Sequence, residues 1–291
     1  MDNINFSIII PLYNKESCIE NTITSVLNQD YIYFEIVVVD DGSTDNSAEI
    51  VRSLKDSRIR LLQIDNGGVS HARNYGVRYS VYDWLIFLDG DDVILPTALT
   101  SFVKLMRKFP NEMVYCGNYT NKEQKLYGGF NSKKMRLYEN PILAMWNYRF
   151  GLRPGSCVCH KSVFLKLGGY DERMSYYEDQ EFYLRLAVQY RVASTPETVM
   201  EYLMENNQGR YSLPPIDAEF AYYLDKWNLS NVWLKSLLYR IAYGSYLRRV
   251  NASDDVGALY YKTLINVKFG KYYYYLNIFR RLRVRLFRYG I

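Results

Sequence analysis

The sequence predicts an α/β protein: a mostly parallel sheet flanked by helices, followed by a helical C-terminal extension that is basic and aromatic. Three observations carry this reading. Short apolar runs alternate with amphipathic segments four times over residues 6–108. The runs are apolar nearly throughout instead of alternating with polar residues, as in strands covered on both faces. The charge is also segregated. A net of +5 over 291 residues divides into 24 Lys+Arg against 29 Asp+Glu in 1–231, and 12 against 2 in 232–291.

The elements follow in order. Phe6–Leu12 is β-branched, ends at a proline boundary and reads as a buried strand. Ile19, Ile23, Val26 and Leu27 fall on one helical face, with Ser17 as a candidate cap. Phe34–Val39 is a second buried strand, broken at Asp40-Asp41-Gly42-Ser43, and Thr44 or Asp45 caps a helix to about Leu54. Ile59–Ile64 is a third strand, Gly67-Gly68 a turn and Ser70–Val81 a helix. Trp84–Leu88 is a fourth strand ending at Asp89-Gly90-Asp91-Asp92, and Pro96 opens a helix to about Lys108. Beyond Met113 short strands are expected, with helices at Pro141–Asn147 and Lys161–Leu167, an apolar segment Ser156–His160, and a helix from Tyr176–Asp179 to about Gln189. The domain reading is 1–215, divided into a nucleotide-binding half (1–110) and an acceptor-binding half (111–215), then the extension 216–291.

No apolar stretch approaches the roughly 20 residues of a spanning helix. The acidic start and the stop at Pro11 do not read as a secretory signal. The four cysteines (18, 116, 157 and 159) and two histidines (71 and 160) give no zinc spacing, so reduced, structural thiols in a cytoplasmic protein are expected.

In parallel sheets ligands bind outside the carboxyl ends of the strands, and every polar cluster lies there. Asp89-Gly90-Asp91-Asp92 places three carboxylates within four residues. Desolvating them together is costly unless a cation compensates, and Mg²⁺ or Mn²⁺ accepts carboxylate oxygens together with ligand phosphates. The plainer reading is a solvated acidic turn in which Asp92 caps a helix. Asp40, ending strand two, suits a ribose hydroxyl or a base N–H, although the DGST run is also a turn and cap. Pro11-Leu12-Tyr13-Asn14-Lys15 lacks the glycines of a dinucleotide fingerprint, which argues against a nicotinamide enzyme, and Tyr13 suits stacking on a base. Gly67-Gly68 before a helix, with Arg73 one turn in, suits a pyrophosphate, as it would suit a structural Arg–Asp pair. Glu178-Asp179 opens a helix, where acids favour the dipole; the functional reading is a general base.

Together these residues resemble family 2 glycosyltransferases of the GT-A fold. The resemblance rests on Ser7–Asn14, Val37–Asp45, Gly67–Asn74 and Phe87–Asp92, then Gly168-Gly169-Tyr170-Asp171 and Glu178-Asp179, and covers about residues 4–205. It implies inverting, metal-dependent transfer of one sugar from a nucleotide sugar, UDP-linked, to a hydroxyl of a polysaccharide or lipid-linked oligosaccharide precursor. It also implies residue roles: Asp40 on the base; Pro11, Tyr13 and Gly68 lining the nucleotide pocket; Arg73 at the diphosphate; Asp89 on the ribose or metal side; Asp91 as principal metal ligand; Asp179 as catalytic base, with Glu178 and Asp92 in support. The Q-x-x-R-W signature of processive members is missing, since Arg185 has no tryptophan after it. No histidine follows His160, so the diphosphate contact that many relatives take from one passes to Arg210 or is lost. The rival reading is a catalytically silent nucleotide-sugar-binding or membrane-scaffold module, against which Asp40, Asp89, Asp91 and Asp179 argue.

Phe279–Tyr289 alternates apolar and basic residues without an acid. Such a segment suits an anionic membrane surface better than nucleic acid, with a homo-oligomer or partner contact as the other option. The protein is therefore expected to be peripheral on the inner face of the cell membrane.

Overall fold

The structure is a computed structural model that describes residues 4–121, 126–127, 134–147, 151–203 and 213–270. The first half follows the sequence pattern: β1 (Phe6–Leu12), α1 (Ile19–Leu27), β2 (Phe34–Asp41), α2 (Ser47–Ser53), β3 (Ile59–Ile64), α3 (Val69–Tyr79) and β4 (Trp84–Phe87). A two-residue strand, β5 (Val93–Ile94), separates β4 from α4 (Ala98–Lys108). Then come β6 (Val114–Asn121), β7 (Leu126–Tyr127), β8 (Arg136–Tyr138), α5 (Pro141–Trp146), β9 (Cys157–His160), α6 (Lys161–Leu167), α7 (Glu178–Gln189) and β10 (Val192–Tyr202). Two 3-10 segments, Ile216–Ala218 and Phe220–Lys226, lead into α8 (Val232–Asn251) and α9 (Asp255–Lys268).

The strands form one sheet in the order β3-β2-β1-β4-β9-β6-β10-β5, with β7 on β6 and β8 on β10. The run β3-β2-β1-β4 is parallel, and β6 and β10 are parallel to each other. Between these two groups β9 runs antiparallel to both β4 and β6, so the sheet is mixed where the sequence predicts a mostly parallel one. Between β4 and β9 the chain makes no single strand–helix–strand crossover, so the parallel pairing that such units impose does not extend to β9.

Alternation along β1 explains the continuous apolar strands. Ile8 and Ile10 pack with α1, α2 and α4 through Ile23, Val51 and Phe102. Ile9 faces the opposite layer, with Ala72 of α3, Phe164 of α6 and Phe182 of α7. Each fully buried aliphatic side chain contributes roughly 1.5–3 kcal/mol relative to exposure. α3 lies close on the sheet because Gly76 has no side chain: a Cβ there would come within 2.5 Å of Ile9 Cγ2. Leu234, Leu238 and Ala242 of α8 belong to the α3/α7-side core, and Trp146 Nε1 of α5 donates to Ser236 Oγ at 2.9 Å.

Cap details differ from expectation. α1 begins after Cys18 instead of Ser17, and α2 begins after Asn46, with Asp45 Oδ1 accepting from the Ser47 N–H at 2.9 Å. None of the four cysteines is in a disulfide. His160 caps α6, its Nδ1 accepting from the Ser162 N–H at 3.2 Å.

Candidate active site

The carboxyl ends of β1, β2 and β4 open onto a cavity of about 940 Å³, closed on the far side by the start of α7 and by α8. Its wall includes Pro11, Tyr13, Lys15, Asp41, Gly68, Arg73, Asp89, Asp91, Glu178 and Asp179. Sequence clusters separated by up to about 170 residues thus share one space, because the sheet gathers its strand ends on one side.

The β1–α1 loop is fixed by the polar run after β2. The Asn14 N–H donates to Ser43 Oγ at 3.0 Å, the Thr44 N–H donates to Asn14 Oδ1 at 2.8 Å, and the Lys15 N–H donates to Ser47 Oγ at 2.7 Å. The two serine hydroxyls and the Thr44 N–H therefore hold the loop that carries Tyr13, a residue 49% exposed at the cavity. Asp40 and Asp41 diverge, as successive strand residues must. Asp40 turns to the Ser43 N–H (3.0 Å) and to Gln63 Nε2 (2.9 Å). It is Asp41 that lines the cavity, accepting the Gly67 and Gly68 N–H groups at 2.8 Å each. That clamp sets the start of α3, and Gly68 supplies the required φ of +88°. A role for Asp41 was not singled out from the sequence, although an acid facing a Gly-Gly turn was the available signal.

Arg73 is enclosed, with 2% of its surface exposed. Nη2 donates to Asp89 Oδ1 at 2.6 Å, Nη1 to Glu178 Oε1 at 3.0 Å, and the guanidinium lies 4.9 Å from the centre of the Tyr170 ring. The arginine expected at the diphosphate thus reaches the wall with its amino groups engaged by two carboxylates. It ties the acid turn after β4 to the acid pair opening α7. Removing one partner of such a buried pair leaves an uncompensated charge, at roughly 3–5 kcal/mol.

Asp91 Oδ2 accepts Lys15 Nζ at 2.6 Å. Asp92 is fully buried; its Oδ1 accepts the Leu203 N–H at 3.1 Å, and Arg153 Nη2 stands 3.8 Å from Oδ2. Burial, reinforced by the Asp89 charge, pushes the Asp92 carboxyl up to about 8. Asp92 lies beneath the turn, bonded to the Leu203 N–H, and does not cap α4, whose N-cap is Thr97. Arg153 itself is held between Tyr202, 3.9 Å away, and Tyr119, 5.0 Å away. Asp179 is held by the Gln180 N–H at 2.7 Å, and burial together with the neighbouring Glu178 charge pushes its carboxyl up to about 6, with Arg73 opposing. A carboxylate with that value is largely ionised at neutral pH yet more basic than an ordinary one.

A family model described as Glycosyl transferase family 2 matches residues 7–167, more than half of the chain. The chain belongs to glycosyl transferase family 2. Among curated relatives of this family 2 chain, the UDP-Glc:alpha-D-GlcNAc-diphosphoundecaprenol beta-1,3-glucosyltransferase WfgD of Escherichia coli is 39% identical over 120 residues, 41% of this chain and 47% of that protein. An uncharacterized glycosyltransferase of Rickettsia typhi is 31% identical over 184 residues, 62% of this chain and 57% of that protein. The chain thus spans about half the length of these relatives. Among solved structures, S. aureus TarS 1-349 in complex with UDP is similar with a TM-score of 0.65 at 17% identity, over 93% of this chain and 72% of that one. At that identity the likeness bears on the fold, which is the GT-A-like arrangement expected of a family 2 glycosyltransferase.

Among the described residues no group of three or more His, Cys, Asp or Glu side chains is arranged to hold a metal. Arg210 lies outside the described residues, as does the basic segment 271–291. Arg185 has a structural role, bonded to Glu181 and to the Leu167 and Gly169 carbonyls at the end of α6.

Proposed function

We propose that this chain is a metal-dependent, inverting glycosyltransferase that moves one sugar from a UDP-sugar to a hydroxyl of a polysaccharide or lipid-linked oligosaccharide precursor. The observation that carries the reading is the meeting of Asp89, Asp91 and Asp179 at one cavity, with Arg73 linking the two acid groups. UDP is favoured by the UDP-bound TarS of the same fold and by the name of WfgD, which also specifies a diphosphoundecaprenol-linked acceptor.

In this reading Tyr13 and the loop after β1 receive the nucleotide, and Asp40 holds the Ser43 turn against which that loop rests. Asp179 takes the proton of the acceptor hydroxyl as that oxygen forms its bond to the anomeric carbon. The bond from that carbon to the diphosphate breaks on the opposite face, and one displacement inverts the centre. The donor set fits Mg²⁺ or Mn²⁺ of the kind that takes one or two carboxylates and completes its shell with phosphate oxygens and water. Asp91 and Asp89 would hold it, and when bound it offsets charge on the departing diphosphate. Lys15 lies beside Asp91, where it can share that work.

Titration calorimetry with UDP tests the metal part. Affinity should be higher with Mn²⁺ than with EDTA, and Asp91→Ala should remove the difference. Equal affinities in the parent protein would contradict the assignment.

A further inference from the structure

The extension at the C-terminus reaches the active site through a buried charge cluster. Glu219 lies between the two 3-10 segments and is fully buried. Its Oε2 accepts Arg248 Nη1 at 3.1 Å, and its Oε1 accepts Arg249 Nε at 3.1 Å and Arg249 Nη2. Arg249, 4% exposed, also donates to Asp254 Oδ2 at 2.8 Å, and Asp254 caps α9. A single carboxylate thus joins α8, and through Arg249 α9, to one point of the chain.

That point touches the turn before Asp179. The Ser175 N–H donates to the Ala218 carbonyl at 3.0 Å, and the Phe220 N–H donates to the Tyr176 carbonyl at 3.2 Å, flanking Glu219. The Arg248 guanidinium lies 3.7 Å from the centre of the Tyr176 ring and 5.2 Å from that of Tyr177. The two rings meet edge to face at 4.5 Å. Tyr177 has φ +62°, a left-handed conformation that is strained for a non-glycine residue and persists only where surroundings enforce it. It is the residue from which α7 starts, directly before Glu178 and Asp179. Tyr176 and Tyr177 both line the cavity.

We propose that Arg248 is a positioning residue: gripped by Glu219 and laid over Tyr176, its guanidinium holds the Tyr176–Tyr177 turn that aims Asp179, so the C-terminal helices set the efficiency of the chemical step. The inference rests on the reading of Asp179 as the base. It differs from a purely structural bond, which would affect stability and leave the folded enzyme's turnover unchanged.

The test uses the full chain and measures kcat and KM for Mn²⁺-dependent hydrolysis of UDP-glucose and UDP-GlcNAc, UDP affinity, and the thermal unfolding midpoint. Arg248→Ala should lower kcat by about 10–100-fold, the scale of a misplacement near 1 Å, with donor KM and UDP affinity unchanged. Arg248→Lys, which keeps the charge on a flexible stem, should recover part of the loss. Tyr176→Ala should lower kcat likewise, and the double variant should be no slower than the slower single, because both remove one contact. A folded Arg248→Ala enzyme with the parent's kcat overturns the proposal, as do losses that multiply in the double variant. If Arg248→Ala does not fold, Arg248→Lys and Arg248→Gln carry the same kcat comparison. Asp179→Asn, run alongside, separates the two readings: full turnover there refutes the base, whereas parental turnover in Arg248→Ala beside an inactive Asp179→Asn refutes only the positioning role.

Discussion

In the proposed mechanism Asp179 gains basicity at the cost of stability. Its carboxyl is raised from 3.8 to about 6 by burial and by Glu178 and Asp89, against the opposing charge of Arg73. The folded protein therefore binds a proton there more readily than the unfolded chain. The sign of the linkage follows: Asp179 favours the folded state at low pH, and that contribution is lost as pH rises from about 4 to 6. Catalysis runs the other way, since only the ionised form can accept a proton. We expect kcat to fall about tenfold per unit below a pH near 6 and to be level above it. A steady-state pH profile of UDP-sugar turnover checks this, and a flat profile from pH 5 to 8 would contradict it. Arg73 is the complementary case. Its position one turn into a helix suits a diphosphate contact, but sequence alone does not reveal that Asp89 and Glu178 close on it from both sides.

Elements were legible where a local pattern repeats. β1 through α4 follow from apolar runs and the turn residues between them, and α3 was expected within two residues of its observed ends. β5 was missed because Val93–Ile94 pairs only with Met200 and Glu201 of β10, far along the chain. The Glu219 cluster was missed for a similar reason: its partners, Arg248 and Arg249, are some 30 residues away and belong to the extension that composition marks only as basic. The C-terminal segment is argued from composition alone. Each Lys or Arg near an anionic surface adds about 1 kcal/mol, an attraction that salt screens. Co-sedimentation with phosphatidylserine-containing vesicles should recover the full chain, less of it at high salt, and lose the chain lacking residues 270–291. Equal recovery of both would refute a membrane role for the segment.

For the molecule as a whole, the parallel strands bring Asp41, Asp89 and Asp91 to one side of a cavity, and α7 sets Glu178 and Asp179 across from them. That these clusters gather was legible because each ends a strand or begins a helix. The exact wall was not: Asp41 in place of Asp40, Lys15 against Asp91 and Arg153 between two tyrosines depend on side-chain directions that spacing does not encode. The account stands on Asp179 as the proton acceptor of a sugar-transfer reaction. The most direct test is the turnover number of Asp179→Asn with Mn²⁺ and a UDP-sugar, beside its UDP affinity and unfolding midpoint. The account predicts a fall in kcat of about 10²–10⁴-fold with UDP binding retained; parental turnover in the folded variant would contradict it.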